Sequence, residues 1–404
     1  MYPRTTPTVS PVDPGEWNDR PAAQQPDWRS AAEARHVERA LRRQEPLVTI
    51  DELDELTHSL AQVALAKAQV LQLGDCAERL EECTVGCTAD KLAMLANLAD
   101  GLARTSARPV VRIGRIGGQL AKPRSKPTEW HGQVELPVFR GHMVNSEEPT
   151  AQARAHDPQR MLSSYRASAE VHEEVRSQRE GRRGAGSHLA AGSGPWTSHE
   201  ALVMDYEGAL TRRDPDTGRA YLASTHFPWI GERTRQPDSG HTALAATVAN
   251  PVGCKVGPKA DTADVLALCA ALDPDRTPGR LTLISRMGRD HLARVLPEVV
   301  EAVDAAGHPV IWLCDPMHGN TVTRAGAKTR LVEDLVAEVA DFRAVLEAAG
   351  THPGGLHLEA THRDVTECLG NGVREGHLAR RYTSLCDPRL NLDQVEAVLE
   401  AWVG

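Results

Sequence analysis

A chain of 404 residues, 41% hydrophobic and with a formal net charge of −9, is long enough to bury a large core. The acidic balance excludes general binding to nucleic acid or to an anionic membrane surface, and no apolar run reaches the length of a membrane span. The N-terminus, MYPRTTPTVSPVDPGEW, has no apolar signal core, so the expected compartment is the cytoplasm.

Prolines at 3, 7, 11, 14, 21 and 26 mark residues 1–29 as an extended arm, partly disordered or laid over a neighbouring surface. Residues 30–404 are expected to form one domain. Two helices open it, Trp28–Arg43 and Ile50–Ala68, the second with a start signal at Asp51. A β/α alternation follows. Strands are expected at Gln69–Leu73, Pro109–Ile116, 220–224 or 226–230, 252–257, 281–285, 309–314 and 355–359. Helices are expected at Lys91–Leu102, 158–176, Ser198–Thr211, 261–271, 290–305, 329–349 and 391–402. The Gly-, Arg- and Ser-rich stretch 180–194 lacks the GK[ST] ending of a phosphate loop and reads as a surface loop.

Strands each followed by a helix imply a parallel sheet. Polar residues stand at the C-terminal ends of most strands: Cys76, Arg115, Glu232, Lys255, Arg286, His318 and Glu359. An open sheet gathers ligands at one crevice, whereas a barrel uses the ends of all its strands. The expected fold is therefore α/β, a (β/α)8 TIM barrel with an N-terminal helical extension. Aromatics are only 4%, so aliphatic side chains must fill most of the core.

Of 46 basic residues only seven are lysines, at 67, 91, 122, 126, 255, 259 and 328. Where arginine is the default, a lysine suggests that a compact point charge is wanted. Lys255 lies in the apolar run VGCKVGP, where an ammonium needs an anionic partner, either a substrate or a nearby carboxylate such as Glu232. Arg115, Lys122, Arg124, Arg233, Lys255, Arg286 and Lys328 converging on one barrel mouth would repel one another unless several anionic groups bind there. A second set, Cys76, His318, Glu359 and Asp387, offers mixed S, N and O donors for a divalent transition metal, although its spacing proves nothing. The eight cysteines contain no CxxC pair and read as reduced thiols. Cys83 and Cys87 are expected on one helix in a structural role.

Ten stretches in order resemble the type II 3-deoxy-D-arabino-heptulosonate 7-phosphate (DAHP) synthases. They are LGDCAE (73–78), RIGGQLAKPRS (115–125), SHEAL (198–202), WIGERTRQ (229–236), NPVGCKVGP (250–258), LTLISRMG (281–288), CDPMHGNT (314–321), KTR (328–330), DVTECLG (364–370) and RYTSLCDPRLN (381–391). Departures are Leu73 where the family usually has glycine, Cys254 where an aliphatic residue is expected, and the reading LEATHRD from Leu358 onward. The chain is similar to the short subgroup associated with secondary-metabolite clusters.

The resemblance implies condensation of phosphoenolpyruvate (PEP) with erythrose 4-phosphate, the first step of the shikimate pathway. It implies Mn2+ or Co2+ as cofactor, with Mg2+ or Zn2+ as alternatives, held by Cys76, His318, Glu359 and Asp387. PEP would meet Arg115, Glu232, Lys255 and Arg286, helped by the backbone near Gly231 and Gly257. The sugar phosphate would meet Lys122, Arg124, Ser125, Arg233 and Lys328. Lys255, Glu232 and Arg286 would be catalytic. A homodimer or homotetramer is implied, with the arm and first helices as contacts. Two alternatives remain: an amino-DAHP synthase using an amino or imino tetrose phosphate, and a non-catalytic paralogue that binds a phosphometabolite.

Overall fold

Eight segments pair side by side, all parallel, into a closed barrel: β1 Gln69–Gly74, β2 Val110–Arg115, β3 Trp196–Glu200, β4 Phe227–Ile230, β5 Val252–Val256, β6 Leu281–Ser285, β7 Ile311–Cys314 and β8 Pro353–Glu359. The computed structural model describes residues 10–11, 15–184 and 194–404. Closure is completed by β8 against β1, with Gly355 opposite Val70 and Glu359 opposite Gly74. Parallel strands covered on both faces are buried along their whole length, which is why they read as nearly continuous apolar runs. Every residue of β1, β2, β5, β6 and β7 is buried.

Alternation along the strands makes two cores. Val70, Val111, Ile113, Trp196, Phe227, Trp229, Ile284, Ile311 and Leu313 form a cluster with Leu56, Leu60 and Val63. The alternate positions, such as Leu71, Leu73, Leu281 and Leu283, pack outward in a larger cluster with the helices. Aliphatic residues do fill most of both, but Trp196, Trp229 and Trp312 are fully buried.

A helix follows every strand. The longer ones are α3 Val85–Ser106, α4 Gln159–Gly184, α5 Gly240–Thr247, α6 Thr262–Leu272, α7 Arg289–Ala305, α8 Val332–Ala348 and α9 Leu392–Val403. Ahead of the barrel come α1 Ala31–Leu41 and α2 Ile50–Ala64. The start signal of α2 is Thr49, not Asp51: its hydroxyl accepts from Glu52 N while the Glu52 carboxylate accepts from Thr49 N at 2.9 Å. Leu56, Leu60 and Val63 of α2 meet residues near the starts of the strands, so α2 plugs the N-terminal end of the barrel and leaves the other end open.

Three expectations need correction. Ser198–Thr211 is not a helix; it is the end of β3 followed by the short helix Met204–Ala209. The stretch 220–230 holds two strands: Ala220–Leu222 pairs antiparallel with Thr211–Arg213, and only Phe227–Ile230 joins the barrel. Cys83 and Cys87 do not share a helix, since α3 begins at Val85. The described parts of the arm lie on the chain itself: Ser10–Pro11 pairs antiparallel with Arg212 and Arg213, and Trp17 is buried against Met204, Ala220, Leu222, Leu244 and Val248. Most of the Gly-, Arg- and Ser-rich stretch lies outside the described residues, and α4 runs to Gly184.

Candidate active site at the barrel mouth

Because all eight strands run the same way, their C-terminal ends share one rim, and the predicted site residues lie on it. A cavity of about 420 Å3 opens there. It is lined by Lys122, Arg124, Ser125, Arg233 and Lys328, the whole predicted sugar-phosphate set, together with Arg286, His318 and Asp387. Arg233 donates to Ser125 Oγ at 2.8 Å. A larger cavity, about 560 Å3, opens at the opposite end beside Gln69 and Pro353. It holds none of the predicted residues, and its polar groups are already engaged: Gln69 with Ser106 and Trp402, and Arg108 with His352. The chemistry therefore belongs to the smaller one.

The predicted metal set comes together from four places in the chain. Ligand atoms of Cys76, Glu359 and Asp387 lie within 4.8 Å of one another. Cys76 follows β1, Glu359 ends β8, and Asp387 belongs to the segment after it. His318, in the loop after β7, brings Nε2 to 3.1 Å from Glu359 Oε1. Its other nitrogen, Nδ1, is 2.8 Å from Asp315 Oδ2. A carboxylate behind a ligating histidine is the usual means of fixing its ring. One thiol, one imidazole and two carboxylates fit a borderline divalent ion. A second triad, Asp315, His318 and His357, is equally close. His357, however, has both nitrogens occupied, by Arg115 and by Gln72 at 2.6 Å, and is buried beneath the site.

Charge at the set is strongly compensated. Arg115 and Arg330 donate to opposite oxygens of Glu359, at 2.9 and 2.8 Å, and Lys122 lies 3.4 Å away. Burial alone would raise the Glu359 carboxyl, but His318, Lys122 and Arg330 hold it well below its ordinary value. Burial likewise opposes ionisation of Asp387, and Lys122, Arg330 and Lys328 outweigh it. Burial would lower the Lys122 ammonium, but Cys76, Glu359 and Asp387 raise it. The Cys76 thiol is pushed well above its ordinary value by burial, then by its hydrogen bond with Cys386 and by Glu359. A divalent cation beside it would reverse that, because a coordinating thiol is deprotonated outright.

Lys255 is 5% exposed near the end of β5. Its partner is not Glu232. Lys255 Nζ lies 2.8 Å from Asp315 Oδ2 and 3.3 Å from His318 Nδ1, while Glu232 is held by Arg235 at 3.0 and 3.1 Å. Burial pushes the Lys255 ammonium below its ordinary value, with Asp315 opposing and Arg115 adding to the fall. Arg115 is 5.0 Å above the Trp229 ring, a floor it shares with Lys255. Glu232 and Arg286 meet at Gly257, where an added Cβ would lie 2.9 Å from the Glu232 carboxyl carbon and 3.0 Å from Arg286 Nη1. Glycine there keeps the space between them open.

Several residues escaped the sequence reading. Asp315 sits three residues from His318 in the same motif, and Arg330 two residues from Lys328. Lys328 is the exposed one and pairs with Asp387 at 3.2 Å, whereas Arg330 is fully buried against Glu359. Glu200, at the end of β3, keeps one buried carboxylate oxygen without a hydrogen-bond partner. Glu78 accepts from the three successive N–H groups of Gly117, Gly118 and Gln119, at 3.2, 2.9 and 2.9 Å. That clasp fixes the loop leading to Lys122, and both partners lie in stretches that carry the family resemblance.

The model of the class-II DAHP synthetase family matches residues 12–193 and 180–400. A Pseudomonas fluorescens protein named as a probable phospho-2-dehydro-3-deoxyheptonate aldolase is 45% identical over 94% of this chain and 94% of its own. A Streptomyces coelicolor protein named phospho-2-dehydro-3-deoxyheptonate aldolase is 42% identical over 96% of this chain and 95% of its own. A Mycolicibacterium smegmatis protein of the same name is 39% identical over 93% and 90%. Among solved structures, a Francisella tularensis phospho-2-dehydro-3-deoxyheptonate aldolase superposes with a TM-score of 0.50 over 92% of this chain and 95% of that one, at 11% identity, which speaks to fold alone.

Proposed function

Since the chain belongs to the class-II DAHP synthetase family, we propose that its barrel mouth joins PEP to erythrose 4-phosphate, releasing DAHP and phosphate in a divalent-metal-dependent condensation. One observation carries this reading: the cavity lined by five predicted phosphate-binding residues is also lined by His318 and Asp387, two members of the S, N, O, O donor set, with Glu359 and Cys76 beside them.

Arg115, Lys255 and Arg286 hold PEP by its carboxylate and phosphate. Lys122, Arg124, Ser125 and Arg233 hold the sugar phosphate, which places the aldehyde over the donor set. Cys76, His318, Glu359 and Asp387 would hold the metal, Mn2+ or Co2+ by preference; when bound it supplies Lewis-acid polarisation of the aldehyde oxygen. The PEP methylene carbon bonds to the aldehyde carbon, and the carbonyl electron pair moves to oxygen. Lys255 delivers a proton to that oxygen; its lowered affinity for the proton and its Asp315 contact suit an acid that is then restored. Water adds to the electron-poor central carbon, oriented by Glu232. One proton of that water restores Lys255; as the water oxygen becomes the new carbonyl, the bond from the central carbon to the bridging oxygen breaks, and phosphate leaves against Arg286 with the other proton.

Treatment with a chelator is expected to abolish turnover, and added manganese or cobalt to restore it. Cys76→Ser should weaken metal retention, because a serine hydroxyl stays protonated where a thiolate would bind. Full activity in a sample shown to be metal-free would overturn the four-ligand assignment.

A further inference from the structure

We infer that the segment from Pro21 to Pro26, outside the barrel, is a positioning element for the sugar-phosphate end of the site, with Gln24 as its working residue. The inference rests on the proposed assignment of Lys122 and Arg124 to that phosphate.

Lys122–Ser125 is a loop without regular pairing, so its geometry depends on what receives its N–H groups. Lys122 N donates to Arg140 O at 2.8 Å. Pro123 has no N–H to give. Arg124 N donates to the side-chain oxygen of Gln24 at 2.9 Å. The two acceptors are themselves tied together. The Arg140 guanidinium donates to the carbonyls of Gln24 and, at 3.3 Å, of Gln25. One residue thus holds Lys122 through its carbonyl and the arm through its side chain.

The arm is anchored on both sides of Gln24. Upstream, Trp17 is 3% exposed in its apolar cluster, and Pro21 O accepts from Gly240 N at 2.9 Å. Downstream, the Gln25 amide accepts from Met204 N and donates to Leu202 O, both at 2.8 Å. Between these anchors Gln24 adopts φ +63°, a left-handed conformation that a glutamine keeps only when its surroundings over-determine it. That turn directs the side chain to Arg124. The Arg124 guanidinium reaches Cys386 Sγ at 3.4 Å and Glu129 at 3.8 Å, on the wall of the cavity. Fixing the Arg124 backbone therefore fixes the root of a donor fork that must meet a phosphate within a fraction of an ångström.

The test compares Gln24→Ala, which removes the acceptor, with Gln24→Glu, which keeps it. The expected result for Gln24→Ala is faster hydrogen exchange at the Arg124 amide and a KM for erythrose 4-phosphate raised about three- to tenfold, the scale of one neutral hydrogen bond. The KM for PEP and kcat should stay within about twofold, and Gln24→Glu should restore both readouts. Equal rises in both KM values, or an unchanged KM for erythrose 4-phosphate despite faster exchange, would overturn the inference. If the wild-type enzyme did not turn over erythrose 4-phosphate at all, the functional reading would fail by itself. The brace would then be judged by calorimetry with inorganic phosphate: weaker binding in Gln24→Ala supports it, and equal binding overturns it.

Discussion

Lys255 shows what a single residue reveals and conceals. An ammonium in an apolar strand announces an anionic partner, and that much was readable. Which partner was not: Glu232 lies nearer in sequence, but Asp315 comes from two strands further round the barrel. Lys255→Met should lower stability, since it breaks a buried pair, but keep the chain folded, because Asp315 retains its bonds from Met317 N and His318 N at 3.1 and 3.2 Å. Turnover should fall by about 10²–10⁴-fold. Wild-type kcat and KM would show that Lys255 is only a buried ion pair. Asp75, beside Cys76, makes a purely structural counterpart, paired with Lys91 at 2.8 Å and Arg389 at 2.7 Å. Burial would raise its carboxyl, but these two cations hold it below the ordinary 3.8. A depressed carboxyl stabilises the fold fully above its unfolded value and loses that contribution as pH falls through the folded one. Asp75→Asn should therefore cost about 3–5 kcal/mol at neutral pH and flatten the fall in Tm as the pH drops below the ordinary carboxylate value of 3.8. An unchanged acid limb in the variant would contradict this.

At the scale of elements, strands and helices with strong patterns were legible, and most of the barrel followed from them. The failure at β3 has a physical cause. Thr197, Ser198, His199 and Glu200 are polar yet buried, and the side chains of the first three bond to other elements: Thr197 Oγ1 meets His226 at 2.8 Å, Ser198 Oγ donates to Gly114 O at 2.9 Å, and His199 meets Glu207 at 2.9 Å. No local pattern shows such a strand, since tertiary contacts make it. Arg330 was missed for the same reason, because burial and not residue type separates it from exposed Lys328, and Asp315 because its partners Lys255 and His357 come from other strands. The clasp of Glu78 on Gly117–Gln119 joins the loops after β1 and β2. Glu78→Ala strands three buried N–H groups and should lower stability by about 3 kcal/mol or more. It should also raise the KM for erythrose 4-phosphate more than that for PEP, since the freed loop carries Lys122 and Arg124. Equal KM values with only a lower Tm would confine Glu78 to a structural role.

At the scale of the whole molecule, function depends on which end of the barrel is closed. The α2 plug seals the end where strands begin, and the parallel topology delivers Cys76, Arg115, Lys255, Arg286, His318 and Glu359 to the other. Barrel closure, through β8 against β1, is what brings Glu359 and Cys76 together across 283 positions of chain. Residues so far apart leave no spacing signal, so the donor set was legible only through the family resemblance. The same rim holds the anion cavity and the donor set in one space, as a condensation of two phosphorylated substrates requires. The most direct measurement is mass spectrometry of the products after incubating the metal-loaded protein with PEP and erythrose 4-phosphate. The account predicts a heptulosonate phosphate carrying the carbons of both substrates, with one inorganic phosphate released per product. Unconsumed PEP and no seven-carbon product under those conditions would contradict it.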